Sequence, residues 1–284
     1  MSLIDDLLQK IPLERFRNPP PQVAVLRFDG LIGMRGPRGL SLRRFAPAIE
    51  RAFGLRNLKA VALAVNSPGG SPAQSSLLFR RIRQLAEEKD VPVVAFAEDV
   101  AASGGYWLAL AADEVFAEET SLVGSIGVIT ASFGFVDAMR KLGVQRRLYT
   151  AGENKSLLDP FLTEDPKGVE RLTALQRDMH ESFKDLVRAR RAAKLKAEES
   201  ALFTGDVFTG RRALELGLID GIGDLRGVMR QRYGDAVKLR AVEPERRRFS
   251  LLRFGLPRRP DIADVAADLL ARLEERLIWA RFGL

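Results

Sequence analysis

The chain has 284 residues, of which 46% are hydrophobic and 29% charged, with a net charge of +8, so a core large enough to bury a site is available. It holds no cysteine and one histidine, His180, which excludes disulfides, thiolate chemistry and multi-histidine metal centres. No stretch approaches the roughly 18–20 uninterrupted apolar residues of a membrane span, and charge interrupts the N-terminal MSLIDDLLQKIPLERF too often for a signal peptide.

In chain order, residues 1–22 read as a short amphipathic arm closed by Pro19-Pro20-Pro21. Val23–Phe28 reads as a first strand, Asp29–Leu40 as a Gly/Pro/Arg loop and Arg43–Phe53 as a helix. Lys59–Val65 is a second strand running into Ser67-Pro68-Gly69-Gly70. Gln74–Glu88 reads as a helix, and Val91–Ala97 as a third strand that leads to Asp99–Tyr106. Trp107–Ala112 has helical character, Asp113–Phe116 reads as a short strand, and Phe135–Leu142 as a helix ending at Gly143. Val144–Tyr149 is expected to be another short strand. Pro166 to about Glu199 is one long helical region with a basic end. Residues 225–242 add a helix and a strand. Strands alternating with helices imply right-handed crossovers and a mainly parallel sheet. The expected division is an arm over 1–22, an α/β domain over 23–242, and a basic linker with a C-terminal amphipathic helix over 243–284.

Residues 246–284 carry nine Arg against five Asp or Glu, half of the net charge. Such a tail suits an anionic surface or an acidic partner. The basic runs lack the aromatic interleaving of a base-stacking site, so nucleic acid is not expected as a partner.

Two glycine turns follow two successive strands. In a parallel sheet neighbouring strand ends share one edge, where ligands bind. Ser103 lies where the third strand hands over to a helix, with Gly104 and Gly105 behind it. A serine there is presented to a carbonyl beside unpaired backbone N–H groups, although it also fits an ordinary helix N-cap. The N–H groups of Gly70 and Gly104, one from each turn, are candidates for an oxyanion hole. His180 lies mid-helix without an acidic partner at a recognisable spacing and reads as a surface residue rather than the base. A lysine deprived of water can serve instead. Lys155 follows a strand in a lysine-poor stretch and is the candidate. Ser125, in Gly124-Ser125-Ile126-Gly127, could orient its amine.

These motifs, SPGG, AASGGYW, TSLVGSIGVI and GENK, occur in this order and together resemble the signal peptide peptidase A family of serine peptidases, peptidase family S49, in its short single-domain form. The resemblance runs from about Val23 to Ile222 and implies a ClpP/crotonase-like α/β fold. It implies a Ser-Lys dyad of Ser103 and Lys155, 52 residues apart, with Ser125 orienting the lysine. It further implies an oxyanion hole at Gly70 and Gly104, with Gly69 and Gly105 against the substrate. No metal or cofactor is expected. The implied partners are peptide or protein substrates, signal-peptide-like segments among them, and further copies of the chain in a ring or dome. Typical family members carry an N-terminal membrane anchor that this sequence lacks, so the expected location is cytoplasmic, with the terminal segments as candidates for a peripheral membrane contact. Two alternatives stay open at this level: a crotonase-type acyl-CoA enzyme and a catalytically idle oligomeric scaffold.

Overall fold

The computed structural model describes residues 20–34, 39–244, 273 and 275–284. Residues 1–19 of the expected arm and most of the expected C-terminal amphipathic helix lie outside the described residues, although Gln22 opens the first strand and 275–280 are helical.

Three long strands form the middle of the molecule: β1 (Gln22–Asp29), β2 (Leu58–Ser67) and β3 (Val93–Ala102). They pair parallel in the order β3-β2-β1, and β8 (Lys238–Ala241) adds a parallel edge beside β1. Alternate residues feed the two faces, as the two-residue period of a strand requires. Val61, Leu63 and Val65 of β2 join a large cluster with α1 (Leu42–Phe53) and α2 (Pro72–Lys89), while Ala60 and Ala62 face a smaller one with Met229 of α7 (Leu225–Tyr233). Burial on both faces is why the central strands read as unbroken apolar runs.

β3 changes partner along its length. Its first half pairs with β4 (Glu114–Ala117), which in turn pairs with β7 (Gly221–Ile222); its second half pairs with β5 (Leu122–Gly124). The strand therefore runs on to Ala102 instead of stopping at Ala97, with a register shift between Val65 and Ser67 of β2. β6 (Val207–Thr209) lies antiparallel to β5 and, among the described residues, is the one exception in a parallel sheet. Crossover helices joining a mainly parallel sheet are the α/β, ClpP/crotonase-like architecture that the motifs imply.

Beyond Ile126 the chain leaves the sheet. Residues 128–165 form an extension carrying α4 (Val136–Leu142), tied together by Phe135 stacked on Phe161 (5.4 Å) and by an Arg146–Asp159 ion pair of 2.9 Å. Val144–Tyr149, expected as a strand, lies here without a ladder partner. Its apolar residues have strand character, but among the described residues none of them pairs with a strand. Phe133 (80% exposed), Leu142 (77%) and Tyr149 (90%) face outward. The chain returns along α5 (Pro166–Arg191), started by the Asp165 side chain accepting from the N–H groups of Lys167 and Gly168. The expected helix to Glu199 ends earlier, and Glu199–Leu202 forms a separate short helix, α6.

Candidate active site

The site is built from three strand exits. At the end of β2 the Ser67 hydroxyl donates to the Gly30 carbonyl (2.7 Å) and accepts from the Gly69 N–H (3.2 Å). Ile32 N–H donates to Gly69 O and Ser71 N–H to Ile32 O, each at 2.8 Å, which makes Gly70 the middle residue of a parallel bridge. Its own N–H therefore turns away from Ile32. Gly69 and Gly70 hold φ of 105° and 137°, values open to glycine. A Cβ on Gly69 would lie 2.8 Å from both Gly104 N and Ser103 Cβ. The two turns thus touch through bare backbone.

At the end of β3, Ser103 has φ 52° and ψ −121°. A non-glycine residue in such a conformation costs on the order of 1–3 kcal/mol and persists only where its surroundings hold it. Here the Ser103 N–H donates to Gly124 O (2.8 Å) and Ser103 O accepts from Trp107 N–H (2.9 Å). The next helix, α3 (Gly104–Ala109), is buried along its whole length. A Cβ on Gly104 would fall 3.3 Å from Gly70 N, so the two amides adjoin one another. Among the described residues neither amide donates a hydrogen bond. Paired free N–H groups beside a strained serine can stabilise negative charge that develops on a carbonyl oxygen.

At the end of β5 stands Ser125, φ 51°, whose N–H donates to Asp206 O (2.7 Å). Ser103, Ser125, Gly69, Gly70, Gly104 and Gly105 are therefore brought to one sheet edge. Lys155 is not brought to it. It sits exposed in a turn of the extension, its N–H donating to Gly152 O (3.2 Å), and among the described residues its amine has no ion-pair or hydrogen-bond partner. A cleft of about 740 Å³ opens in the same extension, lined by Glu153, Asn154 and Ser156 on either side of that lysine.

α5 links the extension, the Ser125 turn and the helix that follows Ser103. Arg171 donates to the Asn154 side chain, His180 Nε2 lies 3.0 Å from Ile126 O, and Phe183 packs on Trp107 with ring centroids 4.8 Å apart. At its far end Arg190 donates to Leu110 O (3.0 Å) and Ala112 O (2.7 Å). Arg191, only 3% exposed, donates to Gly217 O and pairs with Asp220 at 2.6 Å. Burial acts to raise the Asp220 pKa, but hydrogen bonds from Lys194, Arg191 and Val115 N–H outweigh it and hold the carboxyl below its usual value. Burial pushes the Tyr106 phenol well above its ordinary range, and its hydroxyl donates to Leu218 O (2.7 Å). His180 is half-buried and bonded, not the free surface residue that the sequence suggests. Its partner is a backbone carbonyl 54 positions away, and no side-chain pattern could have announced that contact.

The family model of peptidase family S49 matches residues 85–238, a span that holds the Ser103, Ser125 and Lys155 motifs. A Brucella abortus protein named as the Na(+)/H(+) antiporter NhaA is 47% identical over 98% of this chain, and this chain spans only 39% of that protein's length. The chloroplastic serine protease SPPA of Arabidopsis thaliana is 34% identical over 72% of this chain and 31% of its own. The putative protease slr0021 of Synechocystis is 31% identical over 71% of this chain and 70% of its own. Among solved structures, a mutant of the 1510-N membrane-bound stomatin-specific protease in complex with a substrate peptide covers 90% of this chain and 100% of its own at 14% identity, with a TM-score of 0.49.

Proposed function

The chain belongs to peptidase family S49, and from that premise we propose that it is a serine endopeptidase whose active sites form between copies of the chain. The observation that carries the reading is the strained Ser103 beside the two adjoining amides of Gly70 and Gly104. The Lys155 amine takes the proton from Ser103 Oγ, which attacks the scissile carbonyl. The two amides hold the oxyanion, each typically worth about 3 kcal/mol to a tetrahedral intermediate. Lys155 passes its proton to the leaving amine, then deprotonates a water that releases the acyl group and restores the serine. Ser125 orients the amine. The substrates are extended peptides with small or apolar side chains, added along an exposed strand edge.

Two features support a base supplied by a neighbour. The Lys155 loop is fastened to the first turns of α5, through Asn154 to Arg171 and through Leu157 against Gly168. Ser103 is fastened near Phe183, twelve residues further on, about 18 Å along the helix at 1.5 Å per residue. The two anchor points are thus well apart along the helix, which favours a lysine supplied by another copy. The extension that carries the lysine also exposes Phe133, Leu142 and Tyr149, an apolar surface of the kind that marks contact with another protein.

Complementation tests both parts of the proposal. Ser103→Ala and Lys155→Ala proteins, each assembled alone, should be inactive on a fluorogenic peptide. Co-assembled, they should regain activity, because the serine of one variant then meets the lysine of the other. A mixture that stays inactive, with subunit exchange demonstrated, would sink the shared site. An active Ser103→Ala protein would sink the serine mechanism itself.

A further inference from the structure

The turn that carries Ser125 is held at three consecutive residues. Gly124 O accepts from the Ser103 N–H (2.8 Å), Ser125 N–H donates to Asp206 O (2.7 Å), and Ile126 O faces His180 Nε2 at 3.0 Å. The first two contacts tie the turn to the nucleophile and to the approach to β6. Only the third ties it to α5.

A carbonyl oxygen can only accept, so Nε2 of His180 carries a proton and donates. That assignment leaves this nitrogen unable to act as a base while the contact stands. Ile126 is fully buried, and without the imidazole its oxygen would lose its partner away from water, which destabilises the turn. The helix that presents the imidazole is itself fixed. Phe183, one turn on, packs against Trp107, and Arg190 and Arg191 fasten its C-terminal end to the carbonyls of Leu110, Ala112 and Gly217. The imidazole is thus a rigid donor aimed at the residue after Ser125.

We infer that His180 is a positioning residue. It holds the Ser125 turn in its left-handed conformation through the Ile126 carbonyl, and thereby sets the direction in which the Ser125 hydroxyl steers the base. This rests on the reading of Ser125 as the group that orients the lysine. His180 touches neither substrate nor reacting atoms. A misplacement of about 1 Å in such a shell costs on the order of a hundredfold in rate, so the expected loss falls on the chemical step and not on substrate binding.

The test uses the assembled full chain. His180→Phe removes the donor but keeps a flat ring. It should lower kcat about ten- to hundredfold, with KM and assembly unchanged and the thermal midpoint lowered by a few degrees, because the Ile126 carbonyl is left unpartnered away from water. His180→Gln keeps an N–H donor and cannot titrate. It should recover most of kcat and keep the parent pH profile. Wild-type kcat in His180→Phe would overturn the inference. So would a His180→Gln protein as impaired as His180→Phe and lacking one limb of the pH profile, since that behaviour belongs to an acid–base group. A measurement on the unaltered protein stands beside these. With one histidine in the chain, the imidazole ¹⁵N signals need no assignment, and at mildly alkaline pH they should report the proton on Nε2. A proton on Nδ1 would also overturn it. Failure of the peptidase reading looks different, because it appears as activity in Ser103→Ala whatever His180 does.

Discussion

Ser103 and Ser125 leave neighbouring parallel strands with nearly the same left-handed φ, 52° and 51°, and the N–H of the first donates to the carbonyl preceding the second, Gly124 O, at 2.8 Å. The pairing exists because β3 exchanges β4 for β5 halfway along its length. Two strained residues on adjacent strand exits are a cost the fold carries at one edge, where strain and function commonly coincide.

That cost can be recovered. Ser103→Gly removes the side chain from a backbone conformation that glycine adopts freely. The variant should gain on the order of 1 kcal/mol in stability while losing all peptidase activity and all labelling by a fluorophosphonate probe. Thermal unfolding and probe labelling check the two halves separately. A Ser103→Gly protein that melts below the parent would show that the hydroxyl stabilises the turn and that the backbone is not under load.

The glycine contacts make a second, geometric prediction. A methyl on Gly104 would lie 2.5 Å from Ser75 Oγ and 3.3 Å from Gly70 N. The serine side chain has to give, and the two amides are driven apart. Gly104→Ala should fold, because its φ is not in the left-handed region. It should lose on the order of a hundredfold or more in kcat, the scale of a missing oxyanion donor. Gly105→Ala meets the Ser67 carbonyl at 2.4 Å and should lose stability first, read as a lower urea midpoint. Equal kcat in Gly104→Ala and the parent would remove that amide from the site.

The outward apolar residues of the extension make a third prediction. Tyr149→Asp places a charge at a position that is 90% exposed in the single chain. The isolated fold should therefore tolerate it, with a change within about 0.5 kcal/mol. If a second copy covers this surface, the variant should sediment as a smaller species and lose activity, while keeping the parent's circular dichroism. A fully active Tyr149→Asp protein of unchanged size would place the interface elsewhere.

Much of this arrangement could be read from the residues. The buried strands appear as apolar runs, and the glycine turns as SPGG and SGG, because both depend on local chemistry. The extra length of β3 escaped, since Glu98 and Asp99 break the apolar run and only pairing with β5 keeps the strand going. Val144–Tyr149 misled in the opposite direction, as β-forming residues that, among the described residues, pair with no strand. The helix ends at Arg191, after which the chain turns: the Lys194 N–H donates to Arg191 O (2.7 Å) and the Lys196 N–H to Leu216 O (3.0 Å), a contact with a distant segment. Contacts such as His180 to Ile126 or Arg191 to Asp220 join distant parts of the chain, and neither partner's neighbours in sequence mark it out.

The Arg191–Asp220 pair ties α5 to the residue before β7, and its behaviour with pH follows from its partners. Asp220 accepts from Arg191 (2.6 Å), Lys194 (2.6 Å) and the Val115 N–H (2.8 Å). Burial opposes the charge, but these three contacts hold the carboxyl below its unfolded value. A carboxyl lowered on folding contributes stability that is fully present above its unfolded pKa of about 3.9 and is lost as pH falls through the folded value. The protein should therefore show an acid limb of urea stability beginning below about pH 5. Asp220→Asn keeps the shape but leaves the nearly buried Arg191 guanidinium without its counter-charge, a loss of roughly 3–5 kcal/mol at neutral pH. Its stability should also vary less with pH across that acid limb. Because the same corner receives the Tyr106 hydroxyl at Leu218 O, and Tyr106 lies three residues after Ser103 in the helix that follows it, probe labelling of Ser103 should slow in the variant. Lys194→Met, which removes the outer and half-exposed partner, should cost much less. A parent protein whose urea midpoint is flat from neutral pH to about pH 3, or an Asp220→Asn protein as stable as the parent at neutral pH, would strip this pair of the anchoring role.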